Sequence, residues 1–152
     1  MQIRPEIDFK YKEIEIHVCN DRMNEEVNDV VLQLHNFFDT TITGIDENGN
    51  RCMIRPAGIF SFYAEGQRVI AMDATKRYTV PKKLYELEQE YESLHFVRIS
   101  KSEIVNYKKI KSLDMSLTGT IKVTMKNGYV TYSSRRNVAK IKELLLQNRK
   151  GE

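Results

Sequence analysis

Arg98, Ser100, Lys101 and Ser102 fall within a run of five residues, with apolar Phe96 before it, Ile99 inside it, and Ile104, Val105 and Ile110 after it. The apolar positions can anchor the segment in a core, and the polar ones then cluster where a strand ends. Long cationic donors and short hydroxyls thus share one fixed base. That combination suits a polyanion: charge supplies affinity for phosphates, hydroxyls fix register, and one long side chain reaches a base edge. No other part of the chain offers competing chemistry. His17, His35 and His95 lie on different expected elements without metal-ligand spacing, no serine or cysteine sits in a nucleophile elbow, and the seven glycines fall singly at turns, not in a phosphate-cradling loop. We therefore expect no enzyme, no metal, no cofactor and no small-molecule substrate.

The charge distribution agrees with a polyanionic partner. Residues 1–94 carry 11 Lys and Arg against 17 Asp and Glu, a net of −6, whereas residues 95–150 carry 13 against 3, a net of +10. An acidic half and a basic half in one chain indicate that the second meets a polyanion while the first does something else. The composition is ordinary for a globular protein, with 41% hydrophobic and 30% charged residues in a chain of 152, which is long enough to bury a core without staples. Apolar runs such as 59–64 are far too short to span a bilayer and the charged start lacks a signal peptide's apolar stretch, so a cytoplasmic location is expected. Cys19 and Cys52 have no CxxC spacing and are expected to be buried, reduced thiols.

The elements that must position the basic cluster follow from periodicity. Ile3 to Phe9 and Ile14 to Val18 read as strands, followed by an amphipathic helix capped by Asn20 or Asp21 and carrying Met23, Val27, Val30, Val31, Leu34, Phe37 and Phe38. A hairpin, 40–45 and 51–54, turns at Asp46 to Asn50. Residues 1–55 are thus expected to form a small α+β lobe, with 56–150 a second region. There, 59–65, 67–73 and 76–80 read as meandering antiparallel strands, Leu84, Leu87 and Tyr91 as the stripe of a helix beginning near Pro81, and 96–99 as a further strand. Strands 110–115, 120–125 and 129–132 come next, the last pair joined at Asn127-Gly128. A final helix starts after Ser133 or Ser134, with Val138, Ile141, Leu144 and Leu145 buried, and the tail 148–152 is expected to fray.

The run FVRISKSEIVNYKKIKSL at 96–113 resembles the core signature of the LytTR DNA-binding domain. Residues 59–68 are similar to that family's first strand and following loop, and 130–138 to its closing strand with a Ser-Arg start to the last helix. The three segments occur in the family's order across residues 57–147. The resemblance implies a mainly antiparallel α+β domain with short helices that docks on double-stranded DNA through loops. It implies contacts by Gln67 and Arg68 after the first strand, by Arg98, Lys101 and Ser102 in the signature, and by Ser134, Arg135, Arg136 and Asn137 at the final junction. Arg136 and Lys101 would reach bases, since long cationic donors suit guanine O6 and N7, with Gln67 the third base reader; Arg68 and Ser134 would hold phosphates. The first-turn amides of the last helix could meet a phosphate as well.

Two residues depart from the pattern. Glu103 stands where the family has an uncharged residue, and a carboxylate there repels DNA unless it points inward to pair with a basic neighbour. Ser100 replaces a larger polar residue. Asn106 matches the signature and could equally fasten a turn. The 55 N-terminal residues are too few for a phospho-receiver, so the arrangement resembles the family's standalone branch, in which the acidic lobe would contact a membrane-protein antagonist or form a homodimer surface. The expected function is sequence-specific transcription regulation on two spaced half-sites. The alternative is an interaction module for a protein antagonist, with DNA secondary.

Overall fold

A computed structural model describes residues 2–12, 14–116 and 118–149, and the side chains of these except 36–39, 148 and 149. The chain divides into two compact units, residues 1–39 and 40–152.

Among its described residues the first unit contains one helix, α1 (Glu25–Asp39). Its cap is Asn24, whose side-chain oxygen accepts from the Val27 amide at 2.9 Å, and not Asn20 or Asp21. The expected strands at 3–9 and 14–18 are absent among the described residues. Asp8 instead closes a local turn, accepting from the Lys10 amide at 2.9 Å through its side chain. Alternation of Ile14, Ile16 and Val18 is not enough for a strand without a neighbour to accept its backbone bonds. Phe37 and Phe38 of the expected stripe, and the tail beyond 149, lie outside the described side chains and residues. Cys19 is exposed and Cys52 half-buried, so neither is the fully buried thiol expected.

The second unit begins with the hairpin β1 (Ile42–Ile45) and β2 (Arg51–Ile54). Asp46 builds its turn by accepting from the amides of Asn48 and Asn50 at 2.9 and 2.8 Å. The hairpin was expected to belong with the acidic lobe, ending at 55. It belongs instead to the sheet that follows, because Ile45 pairs with Thr79 and Ile42 and Ile54 enter that sheet's core.

That sheet comprises β1, β2, β3 (Ser61–Glu65), β4 (Arg68–Met72), β5 (Arg77–Val80), β6 (Phe96–Ser100) and β7 (Glu103–Asn106). Its order is β2-β1-β5-β4-β3-β7-β6, with every pairing antiparallel. β7 is buried at every position. It has no alternation to betray it in the sequence, as befits a strand covered on both faces. One face is covered by α2 (Leu84–Glu90), which begins three residues after Pro81 and is capped where the Glu86 carboxylate accepts from the Lys83 amide at 2.8 Å. Leu84, Leu87 and Tyr91 pack there on Phe62, Phe96 and Ile104, with Phe62 and Tyr91 stacked at 6.0 Å.

The other face is covered by a three-stranded sheet, β10-β9-β8, and a final helix. These are β8 (Ile110–Asp114), β9 (Thr120–Met125), β10 (Val130–Ser134) and α3 (Arg135–Arg149). Ile121, Val123 and Met125 alternate inward from β9, and Val138 and Ile141 from α3, to meet Phe60, Val97, Ile99, Val105 and Tyr107. The described architecture is α+β and mainly antiparallel.

Candidate nucleic-acid interface

Three turns far apart in sequence meet beside the end of β7 that begins with Glu103. The first is the β3–β4 hairpin tip, where Gly66 adopts a φ of 63° that an L side chain takes only with strain. This exposes Gln67 and Arg68. The second is the two-residue turn Lys101-Ser102 between β6 and β7, exposed at both positions. They are joined directly, because the Ala64 amide donates to the Ser102 carbonyl at 2.8 Å.

The third turn is the junction of β10 and α3. Here Ser134 caps the helix, its hydroxyl accepting from the Asn137 amide at 3.3 Å. Ser133 is buried instead, donating to the Ile99 carbonyl at 3.0 Å. The Asn137 side-chain amide donates to the same carbonyl at 2.7 Å. Two residues of the junction are thus tied to one oxygen of β6, two positions before Lys101. Ser134, Arg135 and Arg136 are exposed beside it.

The expected contact residues divide by how they are held. Gln67, Arg68, Lys101, Ser102, Ser134, Arg135 and Arg136 are exposed. Arg68 lies 3.8 Å from Glu65, which also holds Arg77 at 2.7 Å. The hydrogen bond that Arg77 donates to Glu65 raises the Arg77 pKa. Arg98 and Asn137 are partly buried and make hydrogen bonds within the protein. The Arg98 guanidinium donates through Nε to Glu88 on α2 at 2.8 Å and through Nη1 to the Lys101 carbonyl at 2.9 Å, so it fixes the turn that displays Lys101. Ser100 does the same on a smaller scale, its hydroxyl accepting from the Ser102 amide at 3.2 Å. Asn106 is buried and faces away from these turns, its side-chain oxygen accepting from the Lys108 amide at 3.0 Å.

Glu103 points inward, and its partners are hydroxyls and not the basic neighbour expected. Ser61 donates to one carboxylate oxygen and Thr131 to the other, each at 2.5 Å. The Tyr129 hydroxyl also faces this carboxylate; burial first, and then the carboxylate's charge, push its pKa up to about 12. Tyr129 stacks on Tyr63 with ring centres 6.3 Å apart. Ser61, Thr131 and Tyr129 carried no signal in the sequence, since a hydroxyl's partner 28 or 42 residues away leaves no local pattern.

Residues 49–146 match the family model of the LytTr DNA-binding domain. Among curated proteins, an uncharacterized HTH-type transcriptional regulator of Staphylococcus aureus strain MSSA476 is 32% identical over 147 residues, covering 95% of this chain and 98% of its own. A similarly named protein of strain NCTC 8325 is 34% identical over 134 residues, covering 87% of this chain and 88% of its own. Among solved structures, a LytTr DNA-binding domain from Bacillus cereus superposes with a TM-score of 0.62 at 19% identity, covering 70% of this chain and 97% of that one; at that identity the likeness is one of fold. The relatives' designation names a helix-turn-helix, yet strands separate α1, α2 and α3 among the described residues here.

Proposed function

From the premise that this chain belongs to the LytTR DNA-binding domain family, we propose that it is a transcription regulator reading the major groove of double-stranded DNA through its three converging turns. The observation that carries this reading is the pair of ties described above, Ala64 to Ser102 and Ser133 with Asn137 to Ile99. They gather side chains from three distant segments onto one rim and leave their cationic ends exposed.

Arg136 and Lys101 are the base readers, with Gln67 the third, since guanidinium and ammonium groups match guanine's paired acceptors and a carboxamide matches adenine. Arg68, Ser102, Ser134 and Arg135 hold phosphates, and Arg68 exchanges its exposed ion pair with Glu65 for that contact at little cost. The first-turn amides of α3 add a further phosphate donor. Arg98 and Asn137 serve by holding the turns. Two copies would engage half-sites in successive major grooves, as a single rim of this size covers only a few base pairs. The first unit, residues 1–39, is the surface left for a protein contact or for pairing of the two copies. Glu103 no longer favours a purely protein-binding role, because its carboxylate is turned inside.

A duplex selected by this protein from a random pool, compared with an unselected duplex across a salt series, tests the reading. Arg136→Ala should weaken the selected duplex by about 1–3 kcal/mol and flatten the preference, whereas Arg68→Ala should weaken both duplexes alike and reduce the salt slope by about one. Equal losses on both duplexes in both variants, or no duplex binding at low salt, would overturn it.

A further inference from the structure

Glu103 is the residue from which all three turns are reached by short paths. Lys101 and Ser102 directly precede it, Ser61 opens the strand that ends at the Gln67 turn, and Thr131 lies just before Ser134 on β10. Its two oxygens are shared out accordingly, one to Ser61 in its own sheet and one to Thr131 in the other. The residue is only 6% exposed. An apolar or aromatic residue at this position could fill the volume, but packing alone would let the two sheets slide, whereas a carboxylate with a fixed acceptor for each hydroxyl admits one alignment.

We propose that Glu103 is a positioning residue for DNA readout, a clasp that sets the register of the β10–α3 junction against the two turns of the larger sheet. It touches no DNA. Its effect is on selectivity, because base edges accept donors only within a few tenths of an ångström and a narrow range of angle, while phosphate attraction tolerates displacement. The proposal rests on the DNA reading above and adds to it a buried determinant of specificity.

The test compares Glu103→Ala and Glu103→Gln in the full chain, with Thr131→Val and Thr131→Ser as a second pair that removes or keeps the cross-sheet donor alone. Glutamine can still accept from one hydroxyl and donate to the other, so it should rescue. We expect Glu103→Ala to lower the ratio of selected to random duplex affinity about tenfold while random-duplex affinity and salt slope stay near the wild-type values, with Thr131→Val lowering it about threefold. Glu103→Gln and Thr131→Ser should stay close to wild type. A merely structural role would reduce both affinities together by lowering the folded fraction, leaving the ratio untouched.

Amide hydrogen exchange supplies a readout without DNA. Exchange at Ala64 and along 131–134 should accelerate in Glu103→Ala and Thr131→Val but not in the rescuing variants. Unchanged exchange, or an unchanged affinity ratio in folded Glu103→Ala, overturns the clasp. Accelerated exchange with no duplex binding by the wild-type chain overturns the DNA reading and the positioning role with it, and shows Glu103 to be a sheet fastener only.

Discussion

The side-chain amide of Asn137, in the first turn of α3, donates to the carbonyl of Ile99 on β6 at 2.7 Å, and this bond ties the helix carrying Arg136 to the strand leading to Lys101. Ile99 is fully buried and its carbonyl also accepts from Ser133. Asn137→Ala should therefore cost only about 1 kcal/mol, the value of one hydrogen bond whose acceptor keeps a second donor. Asn137→Asp should cost more, because it sets a carboxylate oxygen against the carbonyl with no donor between them. Denaturant midpoints of the two variants check the order, and an aspartate variant as stable as the alanine one would contradict the geometry.

Arg98 permits a sharper separation of holding from binding. Its guanidinium spans Glu88 and the Lys101 carbonyl, a fork that lysine's single ammonium cannot reproduce. Arg98→Lys should thus lose most of what Arg98→Ala loses in selective affinity, even though it keeps the charge. The salt slope decides the interpretation. If Arg98 bound a phosphate directly, Arg98→Ala would reduce the slope by about one, whereas loosening a turn leaves it unchanged. We expect the slope to hold.

Alkaline titration probes Tyr91, which is buried, and Tyr129, which is partly so. Tyr129 and Tyr91 are both raised from 10.0 to about 12, chiefly by burial. Their unfolded counterparts give up a proton near the ordinary value, so above it the unfolded state binds fewer protons than the folded one and stability falls as pH rises. The stabilisation is complete below pH 10.0 and is lost on the way to about 12. Urea midpoints measured across that window should drop steeply, and Tyr129→Phe should flatten part of the drop. His95 works in the opposite direction at the other end of the scale. Burial, with Lys108 assisting, lowers its pKa from 6.5, so its share of stability is present above that value and is lost as pH falls below it.

What the sequence disclosed and what it hid have a common physical basis. Hairpins with their own turn chemistry, such as Asp46 to Asn50 and Asn127-Gly128, were legible because the deciding bonds span a few residues. The same holds for α2, whose stripe of Leu84, Leu87 and Tyr91 is buried as its spacing requires. Of the strands expected at 3–9 and 14–18, the second had the right alternation, but neither finds a partner among the described residues. β7, buried on both faces, had the partner but no alternation. At the interface the exposed cations were readable from charge and motif. The ties that gather them, Asn137 to Ile99 and Glu103 to Thr131, join residues 38 and 28 positions apart and exist only once the sheets are stacked.

The β1–β2 hairpin shows how such a long-range tie can be tested. Gly44 sits on β1 where an added Cβ would lie 2.4 Å from Ile54 Cδ1 and 2.9 Å from Tyr78 Cβ on β5. The first clash can relax through the isoleucine's flexible end, but the second is with the root of a side chain on a neighbouring strand, which moves only with its backbone. Gly44→Ala should consequently open the seam between β1 and β5 and cost about 1–3 kcal/mol, the range for overpacking a filled core. Gly58→Ala is the control, since nothing lies within 4 Å of its added methyl. If the hairpin is an integral part of the unit 40–152, Gly44→Ala will lower the melting temperature of the single transition that also reports unfolding of β9 and β10. A separate early transition confined to residues 40–55, with the main one unmoved, would instead assign the hairpin to the N-terminal side.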